Sequence, residues 1–432
     1  MFISDDFSVN ETGNLAMGGV DTVALAKEYK TPLYVMNEEV IRDNCRIFKN
    51  SIDNYYEGNG LVCYASKAFC CKEMCRIINE EGLGLDVVSS GELFTAINVK
   101  FPTDRICFHG NNKTDDELTL ALSHGVGRII VDNFFELEKL NTLAGKLHKK
   151  AGIMFRIKPG IEAHTHNAIK TGQIDSKFGF ALETGEAFEA VKAAASMENI
   201  LLMGLHCHIG SQIFDIEPFE EAAKVMIEFI AKIQSELGLT ISELNLGGGF
   251  GIKYIPENDP VPYDDYMQRV SKVVKSQCYN LGIKLPYIII EPGRSIVGPA
   301  GITLYTVGAV KEIPNIRTFV AVDGGMCDNP RYALYQSEYD AVIANKAAEE
   351  KTELVTIAGK CCESGDLIGE NIMLQKSNPG DILAVFATGA YNYSMSSNYN
   401  RLPKPAVVML NKGKTRIVVK RENLDDIIRN DI

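Results

Sequence analysis

The stretch LVCYASKAFC, residues 61–70, shows the pattern that decides the fold. Residues 61–65 are apolar and have the length of a buried strand, and small residues then lead the chain to Lys67 just beyond the strand end. A solvated surface lysine is the ordinary interpretation of a single cation. The position of Lys67 becomes informative only if the other strands of the chain end in a similar way.

Short apolar runs like this one recur along the chain, and a longer amphipathic stretch follows each of them. Val, Ile and Leu are frequent in the runs, as expected for parallel strands that are covered on both faces. The predicted strands are 61–65, 83–88, 105–109, 128–132, 152–157, 201–207, 242–246 and 286–290. The predicted helices are 37–55, 70–82, 91–98, 115–124, 134–150, 182–196, 216–237 and 263–281. Eight such alternations predict an α/β fold, a (β/α)8 TIM barrel that closes in about 250 residues.

The C-terminal third of the chain has a different pattern. Apolar and polar residues alternate there, and turn residues separate the runs, as in an antiparallel sheet. The runs are 301–313, 317–323, 353–359, 381–386, 405–410 and 415–420. We therefore expect a barrel domain over residues 31–285. Residues 1–30 and 286–432 would form a second, mostly antiparallel β domain (a β-sandwich or barrel), with the eighth strand at the junction.

The composition argues against a nucleic-acid-binding, membrane-spanning, secreted or zinc-binding protein. The 432 residues carry a formal net charge of −12, which would repel nucleic acid over most of the surface. No apolar run is as long as a membrane helix requires, and residues 1–10 lack the basic-then-apolar layout of a signal peptide. The eleven cysteines are odd in number, and their clusters lack the C-x-x-C spacing of a zinc site. We expect a cytoplasmic protein with reduced cysteines that binds neither nucleic acid nor a membrane.

Polar and charged residues collect where the predicted strands end. In a barrel of this type the C-terminal strand ends form one rim, and the catalytic residues lie on it. These residues are Lys67, Asp86, His109, Arg156, His206, His208, Gly247, Gly248, Gly249 and Glu291. The sequence therefore predicts an active site on this rim.

The glycines at 247–249 directly follow the seventh predicted strand. Because they have no side chains, their backbone N–H groups can close on a phosphate, and Ser211 could add a donor from the sixth strand. A phosphate site, a lysine and a carboxylate on one rim fit pyridoxal 5′-phosphate. Lys67 would hold the aldehyde of this cofactor as a Schiff base, and Glu291 would keep its ring nitrogen protonated. His208, or less readily His206, would lie flat against the ring.

Nine segments, spread in order over most of the chain, carry a resemblance to a known family. They are YASKA, GLDVVSSGEL, FHGNNK, SKFG, HCHIGSQ, NLGGGFGIKY, EPGRS, CESGD and TGAYNYSMSSNYN. The chain resembles the barrel-type (fold type III, alanine racemase-like) pyridoxal-phosphate decarboxylases. Within that group it looks most like the diaminopimelate decarboxylases, carboxy-lyases that convert meso-2,6-diaminopimelate to L-lysine and carbon dioxide in the last step of lysine biosynthesis.

The resemblance implies roles for particular residues and no metal. Catalytic roles are implied for Lys67, Cys362 and His208. Cofactor contacts are implied for Lys67, Asp86, Arg156, His208, Ser211, Gly247, Gly248, Gly249, Glu291 and Tyr391. Substrate contacts are implied for Arg294, Arg331, Tyr335, Glu363 and Tyr391. The resemblance also implies a homodimer whose active sites are shared across the interface. One departure is Cys361, which stands where the family often has histidine.

Three other interpretations stay open at this point. A decarboxylase of another basic amino acid or of carboxynorspermidine would share most of these motifs. The H-x-H pairs at 164–166 and 206–208 have a spacing that metal ligands can have, as in a metal-dependent lyase. A barrel that only carries pyridoxal phosphate would leave the C-terminal motifs without a purpose. Two arginines for the far carboxylate favour diaminopimelate, because a substrate without that group leaves a buried guanidinium unpaired at a cost on the order of 2–5 kcal/mol.

Overall fold

The computed structural model describes residues 2–161 and 176–432, and these residues form two compact units. The unit that we call the barrel unit comprises Asn44–Gly251 and Pro260–Gly293. The unit that we call the β unit comprises Met1–Asp43, Ile252–Asp259 and Arg294–Ile432. The fold class expected from the sequence, a parallel barrel with a mostly antiparallel β domain, is confirmed.

The N-terminal segment contributes four strands and two helices. They are β1 (Phe7–Val9), β2 (Leu15–Met17), β3 (Val20–Asp21), α1 (Thr22–Tyr29), β4 (Leu33–Asn37) and α2 (Glu38–Tyr56). Strands β1, β2 and β3 form a small antiparallel sheet. The carboxylate of Asp21 begins α1 by accepting the N–H groups of Val23 and Ala24, which have no partner within the helix.

The barrel unit repeats the strand–helix pattern around a closed sheet. Its elements are β5 (Gly60–Ala65), α3 (Lys72–Glu80), β6 (Gly84–Val87), α4 (Ser90–Asn98), β7 (Ile106–Phe108), α5 (Asp115–Ser123), β8 (Arg128–Val131), α6 (Phe134–Lys146), β9 (Ala151–Lys158), β10 (Phe180–Ala181), α7 (Glu186–Ala195), β11 (Ile200–Cys207), α8 (Glu217–Leu237), β12 (Glu243–Asn245), α9 (Tyr263–Leu281) and β13 (Tyr287–Ile290). The parallel strands follow the order β9-β11-β12-β13-β5-β6-β7-β8, and the pairing of β8 with β9 closes the barrel. The short strand β10 pairs with β9 outside this ring. All eight predicted barrel strands and all eight predicted helices are confirmed, with small shifts at their ends.

The local sequence explains where two of the barrel helices begin and which side chains fill the interior of the barrel. Thr114 and Glu117 form a reciprocal capping box at the start of α5, and Asn133 accepts the Glu136 N–H at the start of α6. Inside the barrel, small and medium apolar side chains from different strands pack together, namely Cys63, Cys107, Ile130, Met154 and Ile289. The filled interior leaves the strand ends as the place for chemistry.

The C-terminal part of the β unit forms a large, mostly antiparallel sheet. Its elements are α10 (Arg294–Val297), β14 (Gly301–Ile313), β15 (Arg317–Val322), α11 (Arg331–Tyr335), β16 (Ala341–Ile343), β17 (Glu353–Ala358), β18 (Leu367–Leu374), β19 (Ile382–Val385), β20 (Ala406–Asn411), β21 (Lys414–Val419) and α12 (Leu424–Ile428). The strand order is β18-β17-β15-β14-β4-β20-β21, and β19 pairs with β14 and β16. The β15–β17 and β4–β20 pairs are parallel.

The division between the units differs from the boundaries predicted at residues 31 and 285. Residues 33–37 fall within the predicted barrel range, but as strand β4 they pair antiparallel with β14 and parallel with β20 and lie in the β unit. The eighth barrel strand, β13, belongs wholly to the barrel unit, and the chain leaves that unit once more at 252–259. The His164–His166 pair lies outside the described residues.

Candidate active site

Lys67 lies on a single 3-10 turn, Ser66–Ala68, directly after β5. Its two neighbours are buried, whereas the Lys67 side chain is exposed. The start of this turn is fixed because the Ala65 N–H donates to the carbonyl of Pro292, just after β13. The turn therefore presents an amine at the C-terminal end of the first barrel strand, as the sequence predicted.

Glu291 follows β13 and is the buried centre of a polar cluster in the barrel unit. His109 Nε2 lies 2.7 Å from Glu291 Oε1, and His206 Nε2 lies 3.2 Å from Oε2. The side-chain amide of Asn245 donates to Oε1 at 2.6 Å. These three partners come from the ends of β7, β11 and β12, so closure of the barrel is what brings them to the carboxylate.

The charge state of this cluster follows from its contacts. Burial alone would raise the pKa of Glu291, but the attraction of His109 and His206 and their hydrogen bonds outweigh it and hold that pKa well below its usual range. Burial lowers the pKa of His206 to about 4, although Glu291 opposes this shift. At neutral pH the cluster therefore contains an ionised Glu291 and a neutral His206 that donates from Nε2. The other ring nitrogen of His206 has no hydrogen-bond partner among the described residues.

Asp86 and Arg156 place two further charged groups in the barrel. Asp86 is buried at the end of β6, 3.8 Å from His109 Nε2, and its Oδ1 atom has no hydrogen-bond partner in the described chain. Burial raises the pKa of Asp86 even though His109 attracts it. The guanidinium carbon of Arg156 lies 4.3 Å from the centroid of the Phe178 ring. Burial lowers the pKa of the Arg156 guanidinium. Polar atoms that are buried without a partner are uncommon, so this region is suited to a polar ligand.

The glycines at 247–249 are required by the backbone around them. A Cβ atom on Gly248 would lie 2.1 Å from the carbonyl oxygen of Glu291, and one on Gly249 would lie 2.4 Å from that of Gly210. Gly249 also has a φ of 117°, which side chains disfavour. Side chains are thus excluded from this turn for packing reasons, whether or not it binds a phosphate.

Two of the three glycine N–H groups already have partners within the protein. Gly247 donates to Asn245 Oδ1 at 2.9 Å, and Gly248 donates to His208 Nδ1 at 3.3 Å. The second bond orients the imidazole of His208, whose pKa is held well below its usual value by burial and then by the charge of Lys67. His208 is therefore a neutral ring at a fixed position. A phosphate at this turn would depend mainly on Gly249 and on Ser211.

The β unit contains a second cluster, built around two buried arginines. Arg294 Nη1 donates to the Tyr254 hydroxyl at 2.5 Å, and Arg331 Nη2 donates to Ser337 Oγ at 3.1 Å. The guanidinium carbons of Arg294 and Arg331 lie 4.7 Å and 5.6 Å from the centroid of the Tyr391 ring. Within the described ranges no acidic side chain forms an ion pair with Arg331, and its Nε atom has no hydrogen-bond partner. A buried cation of this kind favours an anionic ligand.

Cys361 and Cys362 are adjacent in sequence but differ in exposure. Cys361 is buried and its N–H donates to Asp366 Oδ2, and burial followed by the charge of Asp366 raises its pKa. Cys362 is exposed, and its N–H donates to Asn400 Oδ1 at 2.7 Å. Glu363 is also exposed and accepts the Tyr399 hydroxyl at 3.4 Å. Cys362 is thus the accessible thiol of the pair.

Three contributors were not assigned from the sequence, namely His109, Asn245 and Tyr254. His109 was noticed at a strand end but had no role, and Asn245 could have been noticed because it ends β12 directly before the glycines. Tyr254 ends the NLGGGFGIKY segment, yet nothing in its local pattern indicates that it meets Arg294. Each of these residues gains its role from a partner that is distant in sequence.

The residues of the barrel unit fit pyridoxal phosphate. They include an exposed amine for an aldehyde, an ionised buried carboxylate for a protonated ring nitrogen, and a fixed neutral imidazole. His109, His206 and Glu291 also place one ligand atom each within 4.8 Å of one another, which is close enough for a metal ion. However, His208, the second member of the H-x-H pair, accepts a hydrogen bond from Gly248 instead. The donor set therefore suits the organic cofactor better than the histidine-pair metal site, which was only an alternative interpretation.

Comparisons with known proteins cover both units of the chain. Residues 38–298 match the family described as "Pyridoxal-dependent decarboxylase, pyridoxal binding domain". Over 424 residues the chain is 50% identical to the diaminopimelate decarboxylase of Bacillus methanolicus, with 98% of each chain covered. It is 48% identical to that of Bacillus subtilis, with 100% of this chain and 98% of the relative covered. The solved structure of diaminopimelate decarboxylase from M. jannaschii in complex with L-lysine has a TM-score of 0.93 and 36% identity, and covers 100% of this chain and 99% of that one.

Proposed function

The chain belongs to the diaminopimelate decarboxylase family of pyridoxal-dependent enzymes, and we propose from that premise how its own residues divide the reaction. It is a carboxy-lyase that converts meso-2,6-diaminopimelate to L-lysine and carbon dioxide, the final step of lysine biosynthesis. Its cofactor is pyridoxal 5′-phosphate. The structural observation that best supports this chemistry is that Glu291 is a buried carboxylate, which two histidines keep ionised.

When bound, pyridoxal phosphate supplies a protonated pyridine ring that accepts the electrons left behind as carbon dioxide departs. We assign Lys67 to hold the cofactor's aldehyde, because its amine lies exposed at the first strand end. Glu291 keeps the ring nitrogen protonated, since an ionised carboxylate favours the charged form of its neighbour. His208 supports the face of the ring, and its bond from Gly248 keeps the imidazole from turning.

The remaining cofactor contacts are assigned by the same reasoning. Ser211, Gly249 and Tyr391 bind the phosphate, and Gly247 and Gly248 shape the turn that presents Gly249. Arg156 adds positive charge, and Asp86 adds a buried carboxylate whose Oδ1 atom has no hydrogen-bond partner among the described residues. Asp86, Arg156 and Glu291 are thus the buried charged groups of the barrel that we assign to the cofactor.

Substrate selection is assigned to the β unit. Arg331 and Arg294 bind the carboxylate at the far end of the substrate, because an arginine fork matches a carboxylate with two parallel hydrogen bonds. Tyr335 and Tyr391 pack against the guanidinium of Arg331, with ring centroids 5.9 Å and 5.6 Å from its carbon. Glu363 contacts the far ammonium group, since its exposed carboxylate carries the opposite charge.

The proton that replaces the lost carboxylate is delivered to the alpha carbon by Cys362 or Lys67. The Cys362 thiol is exposed, and a small polarisable donor of this kind is suited to proton transfer. Cys361 is a poorer candidate, because it is buried and its pKa is raised. Product release then requires that the far carboxylate leaves the arginines and that the Lys67 amine takes back the cofactor's aldehyde from the product's amino group.

We also propose that the enzyme is a homodimer whose active sites are shared, which suits the exposed position of Cys362 and Glu363 on the β unit. Lys67→Ala and Cys362→Ala should each be inactive alone. After equal amounts are mixed and the subunits exchange, about half of the dimers contain one subunit of each variant, and each such hybrid has one intact active site out of two. The mixture should therefore recover about a quarter of the wild-type activity. No recovery in the mixture would rule out shared sites.

None of the described helices is long and apolar enough to cross a membrane. We propose a cytoplasmic location, which is supported by all eleven cysteines being free thiols. Cell fractionation followed by an activity assay tests this proposal. Activity that accompanies the membrane or extracellular fraction would contradict it.

The function is tested with purified protein and a panel of substrates. Carbon dioxide should be released from meso-diaminopimelate and not from lysine, ornithine or carboxynorspermidine, and a chelator should not reduce the rate. Borohydride should abolish activity and leave the reduced cofactor on a peptide that contains Lys67. Comparable turnover of lysine or ornithine, or a label on another lysine, would contradict the assignment.

A further inference from the structure

We propose that Tyr254 is a specificity-determining residue of this decarboxylase, and that its hydroxyl donates a hydrogen bond to the far carboxylate of the substrate beside Arg331. The proposal rests on the proposed function, because it requires an amino acid with a second carboxylate at its far end. It deepens that function by adding a neutral donor to a receptor that otherwise consists of arginines.

Tyr254 is held in place by contacts within the β unit. Its N–H donates to Asn258 Oδ1 at 3.0 Å, and its carbonyl accepts the Asp340 N–H at 3.1 Å. Its ring meets that of Tyr339 edge to face, with centroids 5.3 Å apart. The residue is 6% exposed, so its phenol has a defined position and little access to bulk water.

The hydroxyl of Tyr254 has one hydrogen-bond function that none of the described residues uses. The oxygen accepts from Arg294 Nη1 at 2.5 Å, and a phenol can accept and donate at the same time. No acceptor for the phenol proton is found among the described residues, although buried donors almost always have one. A ligand atom that accepts a hydrogen bond would complete this group.

The charges around the phenol identify the chemistry of that atom. The guanidinium carbons of Arg331 and Arg294 lie 5.5 Å and 5.7 Å from the centroid of the Tyr254 ring. Arg331 is buried and has no acidic partner within the described residues, so the position beside it favours an anion. A carboxylate oxygen placed there accepts from Arg331 and from the phenol together.

The electrostatics of Tyr254 make it a better donor than an ordinary phenol. Burial raises its pKa, but the charges of Arg294 and Arg331 and the bond from Arg294 outweigh burial and bring the pKa below its usual value. A more acidic phenol forms a stronger hydrogen bond to a carboxylate. Burial lowers the pKa of Arg331, but the surrounding tyrosines, Tyr254 first among them, outweigh burial and raise it, so Arg331 stays charged.

If Tyr254 binds the far carboxylate, it should affect only ligands that carry this group. Removal of one carboxylate from diaminopimelate leaves the other on L-lysine, so substrate and product both present the group that Tyr254 would bind. The diamine 1,5-diaminopentane has the same chain and amino groups but no carboxylate. A residue that acts on the far carboxylate must therefore affect L-lysine and leave 1,5-diaminopentane unchanged.

Tyr254→Phe tests this by removing the hydroxyl while retaining the ring that packs on Tyr339. In the cofactor-loaded enzyme we expect calorimetry to show about tenfold weaker binding of L-lysine and unchanged binding of 1,5-diaminopentane. The KM for meso-diaminopimelate should rise about tenfold with kcat within about twofold. Tyr339→Phe is the matched control, because it also removes a buried hydroxyl, one that donates to Asn392 Oδ1 at 3.4 Å. Its affinities should stay within about twofold of the wild type.

Unchanged binding of L-lysine by Tyr254→Phe would overturn the proposal. So would an equal loss of affinity for L-lysine and 1,5-diaminopentane, because that result shows general damage to the site. The calorimetric comparison does not depend on turnover. A wild-type enzyme that fails to decarboxylate diaminopimelate would therefore refute the proposed function, while the binding of L-lysine still decides the role of Tyr254.

Discussion

The side chain of Asn245 donates to Oε1 of Glu291 at 2.6 Å, and its amide oxygen accepts the N–H of Gly247 at 2.9 Å. One buried amide thus connects the carboxylate assigned to the cofactor's ring nitrogen with the glycine turn assigned to its phosphate. The distance between these two groups has to match the length of one rigid ligand. Asn245 is therefore a residue through which both ends of that ligand are positioned.

Asn245→Asp should weaken cofactor binding by about tenfold or more, because it replaces a donor with a second carboxylate next to Glu291. The measurement is the dissociation constant of pyridoxal phosphate, obtained from absorbance during titration of the cofactor-free protein. Asn371→Asp makes the same change of charge at an exposed position and should leave this constant unaltered. Equal affinities for the two variants would show that Asn245 does not position Glu291.

Acid should destabilise the barrel through His206. Its pKa falls from 6.5 to about 4 because of burial, so the unfolded chain takes up a proton before the folded protein does. The stability that comes from the neutral ring is complete above pH 6.5 and is lost as the pH falls toward 4. Between pH 7 and pH 4.5 this one group should cost about 2–3 kcal/mol of the free energy of unfolding.

Urea unfolding of the cofactor-free protein at both pH values measures this loss. His206→Gln should remove that part of the pH dependence, whereas His148→Gln, at an exposed position, should retain it. If His206→Gln and the wild type lose the same free energy on acidification, another group is responsible.

Lys113 should matter for stability, because its ammonium is buried against Glu136 at 2.7 Å and donates to the carbonyls of Gly110 and Ile130. Burial lowers the pKa of Lys113 and raises that of Glu136, and their attraction only partly reverses these shifts. Lys113→Met should therefore cost about 3–5 kcal/mol by leaving Glu136 uncompensated. The additional change Glu136→Gln should recover part of the loss.

The midpoint of urea unfolding provides the measurement for these variants. Lys192→Met breaks an exposed ion pair with Glu189 and should change stability by less than about 0.5 kcal/mol. If Lys113→Met is as stable as Lys192→Met, the buried pair contributes nothing that an apolar side chain cannot replace.

Arg331→Ala should raise the KM for diaminopimelate about 30-fold or more, because the far carboxylate loses a buried charged partner. The absorption spectrum of the bound cofactor should remain unchanged. Arg317→Ala, which removes an exposed arginine paired with Glu370 in the same unit, is the matched control and should have a normal KM. Unchanged turnover at low substrate concentration by Arg331→Ala would remove this residue from the substrate site.

Alkylation should distinguish the two adjacent thiols. Iodoacetamide should label Cys362 first, because it is exposed, whereas Cys361 is buried and its pKa is raised. Activity should fall in parallel with labelling of Cys362, as peptide mapping can show. Cys362→Ser should lose about 100-fold or more of kcat and resist further inactivation. Faster labelling of Cys361 would reverse the assignment.

Much of the barrel could be predicted because its strands are short, apolar on both faces and separated by amphipathic helices. The end of β5 also placed Lys67 correctly at the rim. The partners of Glu291 could not be predicted in the same way. His109 lies 182 residues away in sequence, and the two meet only when the last strand pairs with the first and the ring closes.

In the β unit, the sequence does not indicate which sheet a strand joins. Strand β4 is five buried residues long, and a run of this kind is equally compatible with a parallel barrel strand and with a sheet centre. Its partners, β14 and β20, decide which it is. Tyr254 likewise belongs to a short segment that leaves the barrel unit and returns to it, and no local pattern marks such an excursion.

The central place of β4 between β14 and β20 has a consequence for how the protein is made. A ribosome releases residues 33–37 early, but β14 follows only after the barrel strands, and β20 follows later still. Until β14 is released, the nascent β4 is an apolar strand without its sheet neighbours, while the barrel sequence is translated. The sheet is complete only once β20 has also been released, so chaperone protection of β4 would be most valuable before then.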